Sequence, residues 1–388
     1  MPRQLLFLPG PVMVAQPVVE ALACPLIDHR GPEFSEVLRR IGDALRPVYG
    51  TEHDVILLGS SGTGALETAV ANLFSPGERV LSCAVGVFGK RFAAIAQSFG
   101  CVVEPLETPL GAALDPGILE ARLSSDAEHQ IAGVLLTQNE TSTGVANDMA
   151  ALAPILRSHG AITLVDSISG LGASEFRMDE WGYDVVVAAS QKAFGAPPGV
   201  AMLAASQRAW DRIGRTRSPR FYFDLKHARD AAEDGQMPWT PPISIIYALD
   251  VALQRYHAEG MANARARHAR FAAAVRAALD RLGFTLVSQP DAHSPTVVAA
   301  YPPPGVDIAV ILKRLREEHR VVLSGGQAEL AGRILRFGTM GDVRDVDFLG
   351  AIGALELILL DLGVTTRPGA ATAAAIEALS HRVTSGVA

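Results

Sequence analysis

Between residues 54 and 204 the chain alternates short apolar runs with longer amphipathic stretches, a pattern that few folds accept. The runs are "DVILLG" (54–59), "RVLSCAV" (79–85), "CVVEPL" (101–106), "AGVLLTQ" (132–138), "AITLVD" (161–166), "DVVVAAS" (184–190) and "VAMLAAS" (200–206). Between them, "TGALETAVANLF" (63–74), "GKRFAAIAQSFG" (89–100) and "DMAALAPILRSHG" (148–160) repeat apolar residues at helical spacing. A strand that is apolar on both faces must be covered on both, and helices interleaved with parallel strands provide that cover. The pattern therefore predicts an α/β fold built on a mostly parallel sheet.

The pattern then changes. Residues 243–282 are rich in Ala and Arg and helical in period throughout. Beyond them "FTLVSQ", "TVVAAYP", "RVVLSGG" and "RILRFG" alternate with two helical stretches and read as a smaller α+β unit. The expected organisation is an N-terminal arm (1–16), a large domain (17–255), a small C-terminal domain (256–365) and an Ala-rich extension (366–388). The extension has no strong apolar period.

Composition narrows the function classes. The net charge is −7 with both signs interspersed, and no Lys/Arg block suggests nucleic acid or an anionic membrane. Cys24, Cys83 and Cys101 are too few and too scattered for a disulfide framework or a zinc site. The opening "MPRQLLFLPGPVMV" is broken by Pro9, Gly10 and Pro11, lacks the features of a signal peptide, and no window approaches a membrane span. A cytoplasmic protein acting on small molecules is the expectation.

Four groups then converge on one edge of the expected sheet. "VVVAASQKAFGAPPGVAML" (185–203) empties an apolar strand onto Lys192 and a Gly/Pro-rich turn. Such a lysine is either a solvated loop residue or a desolvated, nucleophilic amine. "LLGSSGTGALETA" places Ser61, Gly62 and Thr63 between a strand and a helix, either as a plain N-cap or as a phosphate cradle. "LVDSISGLG" ends a strand on Asp166, a turn residue or a partner for a cationic ring nitrogen. "TQNETSTG" (137–144) ends another in hydroxyl and amide groups, a polar loop or a set of donors for a phenolic oxygen. Open α/β sheets bind ligands at the carboxyl ends of their strands. A phosphate cradle, an acid and an amine there match the three handles of pyridoxal 5'-phosphate.

"PGPV", "SGTGALE", "NETSTG", "LVDSISGLG", "SQKAFGAPPG", "WTPPISIIYAL" and "RILRFGTMG" occur in this order and resemble the class V, fold type I pyridoxal-phosphate aminotransferases. The similarity is strongest to the alanine–glyoxylate and serine–glyoxylate branch and spans about residues 5 to 360. It implies a seven-stranded-type, mostly parallel sheet and a homodimer with a shared active site. It further implies Lys192 as the Schiff-base lysine and Asp166 as partner of the ring nitrogen. Ser61, Gly62, Thr63 and Gln191 would hold the phosphate, with Thr240 reaching it from the neighbouring subunit. Thr141 would bond near the ring oxygen, and Phe88 and Ile168 would pack on the two ring faces. Arg336 would clamp the substrate carboxylate, with Gly10 of "PGPV" also at the substrate.

The branch often has Trp at Phe88, His at Gln138 and Tyr near Met237, so this chain departs there. In "IDHRGPEF" (27–34), His29 and Arg30 are either substrate contacts or local structural ones. The implied reaction is ping-pong transamination from a small α-amino acid, alanine or serine, to glyoxylate or another 2-oxo acid. Aspartate, ureidoglycine or 2-aminoethylphosphonate are alternative donors. A cysteine-desulfurase-type lyase would need a mobile nucleophilic cysteine, and residues 320–336 contain none. A non-catalytic scaffold would be expected to have lost Lys192, Asp166 or Arg336.

Overall fold

The computed structural model describes residues 4–364 and 367–380. The seven apolar runs form strands β1 (Val55–Leu58), β2 (Arg79–Cys83), β3 (Val102–Pro105), β4 (Ile131–Thr137), β5 (Ile162–Asp166), β6 (Val185–Ala189) and β7 (Ala201–Ala205). They lie in one sheet in the order β3-β2-β4-β5-β6-β7-β1. β7 runs antiparallel to both neighbours, and every other pair is parallel. Alternation within each strand divides the core in two. On β6, Val186 and Ala188 join the apolar cluster that includes Ile41, Leu45 and Leu249, whereas Val185 and Val187 join the one that includes Leu66, Ala69 and Val70. The sheet is thus clad on both faces, by the Pro32–Tyr49 and Ile243–Glu259 helices on one side and the Gly62–Leu73 helix on the other.

The helix expected over 243–282 is two helices, Ile243–Glu259 and Met261–Arg281, broken at Gly260 with φ +88°. Glycine takes that conformation without the steric cost of a Cβ. The break hands the chain from one core to another: Leu249 and Leu253 belong to the large core, Phe271 and Val275 to the small one. The second unit is an antiparallel sheet of β8 (Thr285–Leu286), β9 (Val297–Tyr301), β10 (Ser324–Gly325) and β11 (Leu335–Gly338), in the order β8-β9-β11-β10. Its centre is aromatic, with Phe271 stacked on Phe348 at 4.1 Å and Phe7 of the N-terminal arm 5.0 Å from Phe337.

The Ala-rich stretch, which shows no strong apolar period, nevertheless forms a helix over Ala370–Ser380. Ala371, Ala375 and Leu379, four residues apart, are buried in the aromatic-centred core. Ala on the other faces as well hides their period, while the short side chains allow close helix packing, and Glu356 receives the Ala371 amide and the Thr372 hydroxyl.

Candidate active site

The carboxyl ends of β1, β4, β5 and β6 open on one rim, because β1 and β6 are both antiparallel to β7. Lys192 follows β6 in a loop closed by Ser190, whose hydroxyl donates to Pro197 O at 2.6 Å, and by Gly195 N to Lys192 O at 3.0 Å. The Lys192 ammonium donates to Pro9 O at 2.6 Å. Its neighbour Gly10 has φ +121°, and a Cβ there would lie 2.6 Å from Lys192 Nζ. A glycine at position 10 is therefore what leaves room for the lysine. Burial lowers the Lys192 pKa to about 8, helped by the charges of Arg336 and Arg91 and opposed by Asp166.

Asp166 ends β5, in register with Thr137 on β4 and Val187 on β6, and is 4% exposed. Burial pushes its pKa up to about 7, and the Glu140 charge adds to this. The amide of Ile168, which donates to Oδ1 at 3.0 Å, and the charges of Lys192 and Arg91 oppose the rise. Ile168 packs on the start of the Gly62–Leu73 helix, where a Cβ on Gly62 would lie 2.5 Å from Ile168 Cδ1. Ser61 caps that helix, accepting from Gly64 N at 3.4 Å. Free N–H groups at such a terminus are suited to an anion. Gln191 Oε1 is buried without a hydrogen-bond partner among the described residues.

Phe88 lies at the start of the Val87–Ser98 helix, with the Arg91 guanidinium 4.7 Å from its ring centroid. Thr141 is buried, and its carbonyl accepts from Arg336 Nη1 at 3.1 Å. Arg336 comes from β11 of the small sheet and is 7% exposed. Its Nε donates to Gly325 O at 2.8 Å, while among the described residues nothing accepts from Nη2. Burial lowers its pKa, and Glu140 opposes the shift. The guanidinium is thus fixed on one side and open on the other.

Comparison with known proteins decides the family. Residues 21–339 match the family described as Aminotransferase class-V. The chain is a class V aminotransferase. It is 37% identical to an L-aspartate–glyoxylate aminotransferase of Paracoccus denitrificans, over 96% of this chain and 95% of that one. It is 34% identical to a serine–glyoxylate aminotransferase of Methylorubrum extorquens, over 96% and 95%. Among solved structures it resembles ureidoglycine–glyoxylate aminotransferase of Bacillus subtilis, with a TM-score of 0.92, 25% identity and coverage of 98% and 99%. Class V aminotransferases of this fold are pyridoxal-phosphate-dependent transaminases.

The residues present fit that cofactor. Glycines at 10 and 62 keep space beside Lys192 and Ile168 that a Cβ would fill. The buried Asp166 lacks a cationic hydrogen-bond partner among the described residues, and Gln191 Oε1 has no partner of any kind.

Several sequence expectations find definite places in the aminotransferase. Arg30 donates to Gln236 Oε1 at 2.6 Å and Met237 O at 2.9 Å, and His29 is half-buried beside it. Gln138 is buried under the Asp166 turn, accepting from Ser167 Oγ and donating to Glu175 O at 3.3 Å. Met237 belongs to the large apolar core. Thr240 is exposed, next to Trp239, whose ring stacks on Phe221.

Glu140, in the middle of "NETSTG", was not expected to matter, yet it is fully buried. Asn139, also unforeseen, donates to Thr296 Oγ1 at 2.9 Å and accepts from Ser294 Oγ at 2.6 Å, tying the rim to the small sheet. The faint signal for Glu140 was "GVFGKR": Gly86 would drive a Cβ to 2.5 Å from Glu140 Cγ.

Proposed function

We propose that this aminotransferase moves an amino group from a small α-amino acid to glyoxylate or another 2-oxo acid, with Lys192 and Asp166 as its catalytic pair. The observation that carries the reading is a buried amine with a depressed pKa beside a buried carboxyl with a raised one, facing an arginine from the other domain. Pyridoxal phosphate supplies an aldehyde to accept the amino group and a ring to accept electrons.

The chain's own residues do the rest. With a pKa of about 8, roughly one Lys192 in ten is neutral at pH 7, against about one in three thousand at the ordinary value of 10.5. That fraction supports bonding to a carbonyl and then carrying the α-proton. Asp166 holds a proton at the ring nitrogen, because an adjacent cation draws its carboxyl back to the ionised form. Ser61, Gly62, Thr63 and Gln191 hold the phosphate, Thr141 the ring oxygen, and Phe88 and Ile168 the two ring faces. Arg336 binds the α-carboxylate through its open side, with Gly10 lining the space next to it.

The names of the serine and ureidoglycine relatives, both with glyoxylate, support the acceptor. Alanine or serine is the simplest donor for a site with one carboxylate clamp. One observation favours aspartate as a second reading. The Arg91 guanidinium makes no ion pair among the described residues, yet its charge is felt at both Lys192 and Asp166. A homodimer is supported by the exposed stack of Phe221 and Tyr222 on Trp239, beside Thr240. A donor screen with glyoxylate tests the activity, and light scattering tests the dimer. No turnover of any α-amino acid would remove the reading.

A further inference from the structure

We infer that Glu140 is a positioning residue of this site, one buried carboxylate that sets both the ring-stacking wall and the substrate clamp. The inference rests on the transaminase reading above. Glu140 Oε2 accepts from the amides of Phe88 at 2.9 Å and Gly89 at 3.1 Å. Oε1 accepts from the Ser142 amide at 3.0 Å and the Ser142 hydroxyl at 2.7 Å. That hydroxyl in turn accepts from Val87 N at 3.0 Å. Three successive amides at the start of the Phe88 helix are thereby anchored to the 140–142 turn. Helix starts leave such amides without internal partners, so the carboxylate both satisfies and locates them.

The same turn presents Thr141 O, which accepts from Arg336 Nη1 at 3.1 Å. Phe88 and Arg336 come from different domains, and both are referenced to one turn, the Phe88 helix start to Glu140 and Ser142 and Arg336 to Thr141 between them. Gly86 has no room for a Cβ because Glu140 Cγ and Ser142 Oγ occupy that space, at 2.5 and 2.6 Å. All four groups bonded to Glu140 are donors. A glutamine has one acceptor oxygen, and its NH₂ would confront either the Phe88 and Gly89 amides or Ser142. The shape survives Glu140→Gln, but the anchor is broken on one side.

Hydrogen exchange on the cofactor-free protein reads the anchor directly. In Glu140→Gln the Phe88 and Gly89 amides should exchange faster, with the sheet amides of β5 and β6 unchanged. Cofactor affinity and the amino acid KM should each worsen by about 10- to 150-fold, the factor carried by one hydrogen bond to a charged group. The kcat at saturation should stay within a few-fold, because Lys192 and Asp166 are intact, whereas a merely structural loss would lower the melting temperature and leave the KM unmoved. Ser142→Ala, which removes one donor to Glu140 and the acceptor for Val87, should shift the same readouts in the same direction by less, and it keeps the test open if the glutamine variant does not fold. Unchanged exchange at Phe88 and Gly89, or an unchanged KM and cofactor affinity, would overturn the inference. If the wild type itself fails to bind pyridoxal phosphate, the transaminase reading falls; if the wild type binds it and turns over while the Glu140 variant matches it in exchange, KM and cofactor affinity, only this inference falls.

Discussion

Replacing Arg336 separates a carboxylate clamp from a buried structural cation. Its guanidinium already donates to two backbone carbonyls, Gly325 O at 2.8 Å and Thr141 O at 3.1 Å, which fix the plane of the fork with Nη2 unused. A lysine keeps the charge but presents one donor centre instead of a planar pair. Losing one charge-assisted bond to the substrate costs about 1.5–3 kcal/mol, or roughly 10- to 150-fold in kcat/KM. Arg336→Met removes the charge as well, for which the cost of about 2–5 kcal/mol becomes roughly 30- to 5,000-fold. The expected order is wild type, lysine, methionine for alanine, serine and glyoxylate alike, since all three carry the carboxylate. Alaninamide, which lacks it, is the discriminating substrate, and its poor turnover should barely change. Arg333→Lys is the control, because Arg333 is exposed and its guanidinium lies 5.7 Å from the Tyr301 ring centroid. The assay is steady-state kcat/KM for each substrate, with melting temperatures alongside to report the two orphaned carbonyls. Equal losses for alanine and alaninamide would refute the clamp, as would wild-type activity in the methionine variant.

Lys192→Ala should abolish turnover while the protein still binds pyridoxal phosphate non-covalently; borohydride reduction and peptide mapping of the wild type should label Lys192, and a label on another lysine would sink the assignment. Gly10→Ala should lower cofactor incorporation measured by absorbance, because its Cβ would lie 2.6 Å from Lys192 Nζ and its φ of +121° is a strained conformation, costing about 1–3 kcal/mol, for any residue but glycine. In the cofactor-free protein, Asp166 has its pKa raised from 3.8 to about 7, so its contribution to stability is full below pH ~4 and is lost as the pH rises through about 7. Lys192 has its pKa lowered from 10.5 to about 8, so its contribution is full above pH ~10.5 and is lost as the pH falls through about 8. Denaturant titrations should therefore find Asp166→Asn more stable than wild type at pH 7.5, by at most about 4 kcal/mol, and indistinguishable at pH 4; equal stability at both pH values would reject the buried carboxyl. With cofactor bound, the same variant should slow the amino acid half-reaction far more than it weakens cofactor binding, as read by single-turnover kinetics.

The central sheet was legible because its strands, the exposed edge strand β3 apart, are buried on both faces and so appear as apolar runs, whereas other features depended on what each segment meets. The Ala370–Ser380 helix buries Ala371 and Ala375, but Ala occurs on its other faces too, so no apolar period marks the buried side. Gly260 stands between two stretches that are both helical in period, and one glycine in a helical pattern does not reveal whether the helix continues. The rim behaves in the same way. Lys192 and Asp166 stood out because each is a charge at the end of an apolar strand, where burial is costly unless a partner or a function offsets it. Glu140 is more deeply buried than either, but it sits among Asn, Thr and Ser, where a carboxylate is unremarkable. Its partners are the amides of Phe88 and Gly89, about fifty residues away in sequence, and backbone amides carry no sequence signal. A strand-end charge thus points to where the proposed chemistry lies, while a buried carboxylate held by distant backbone amides becomes visible only where the turns meet.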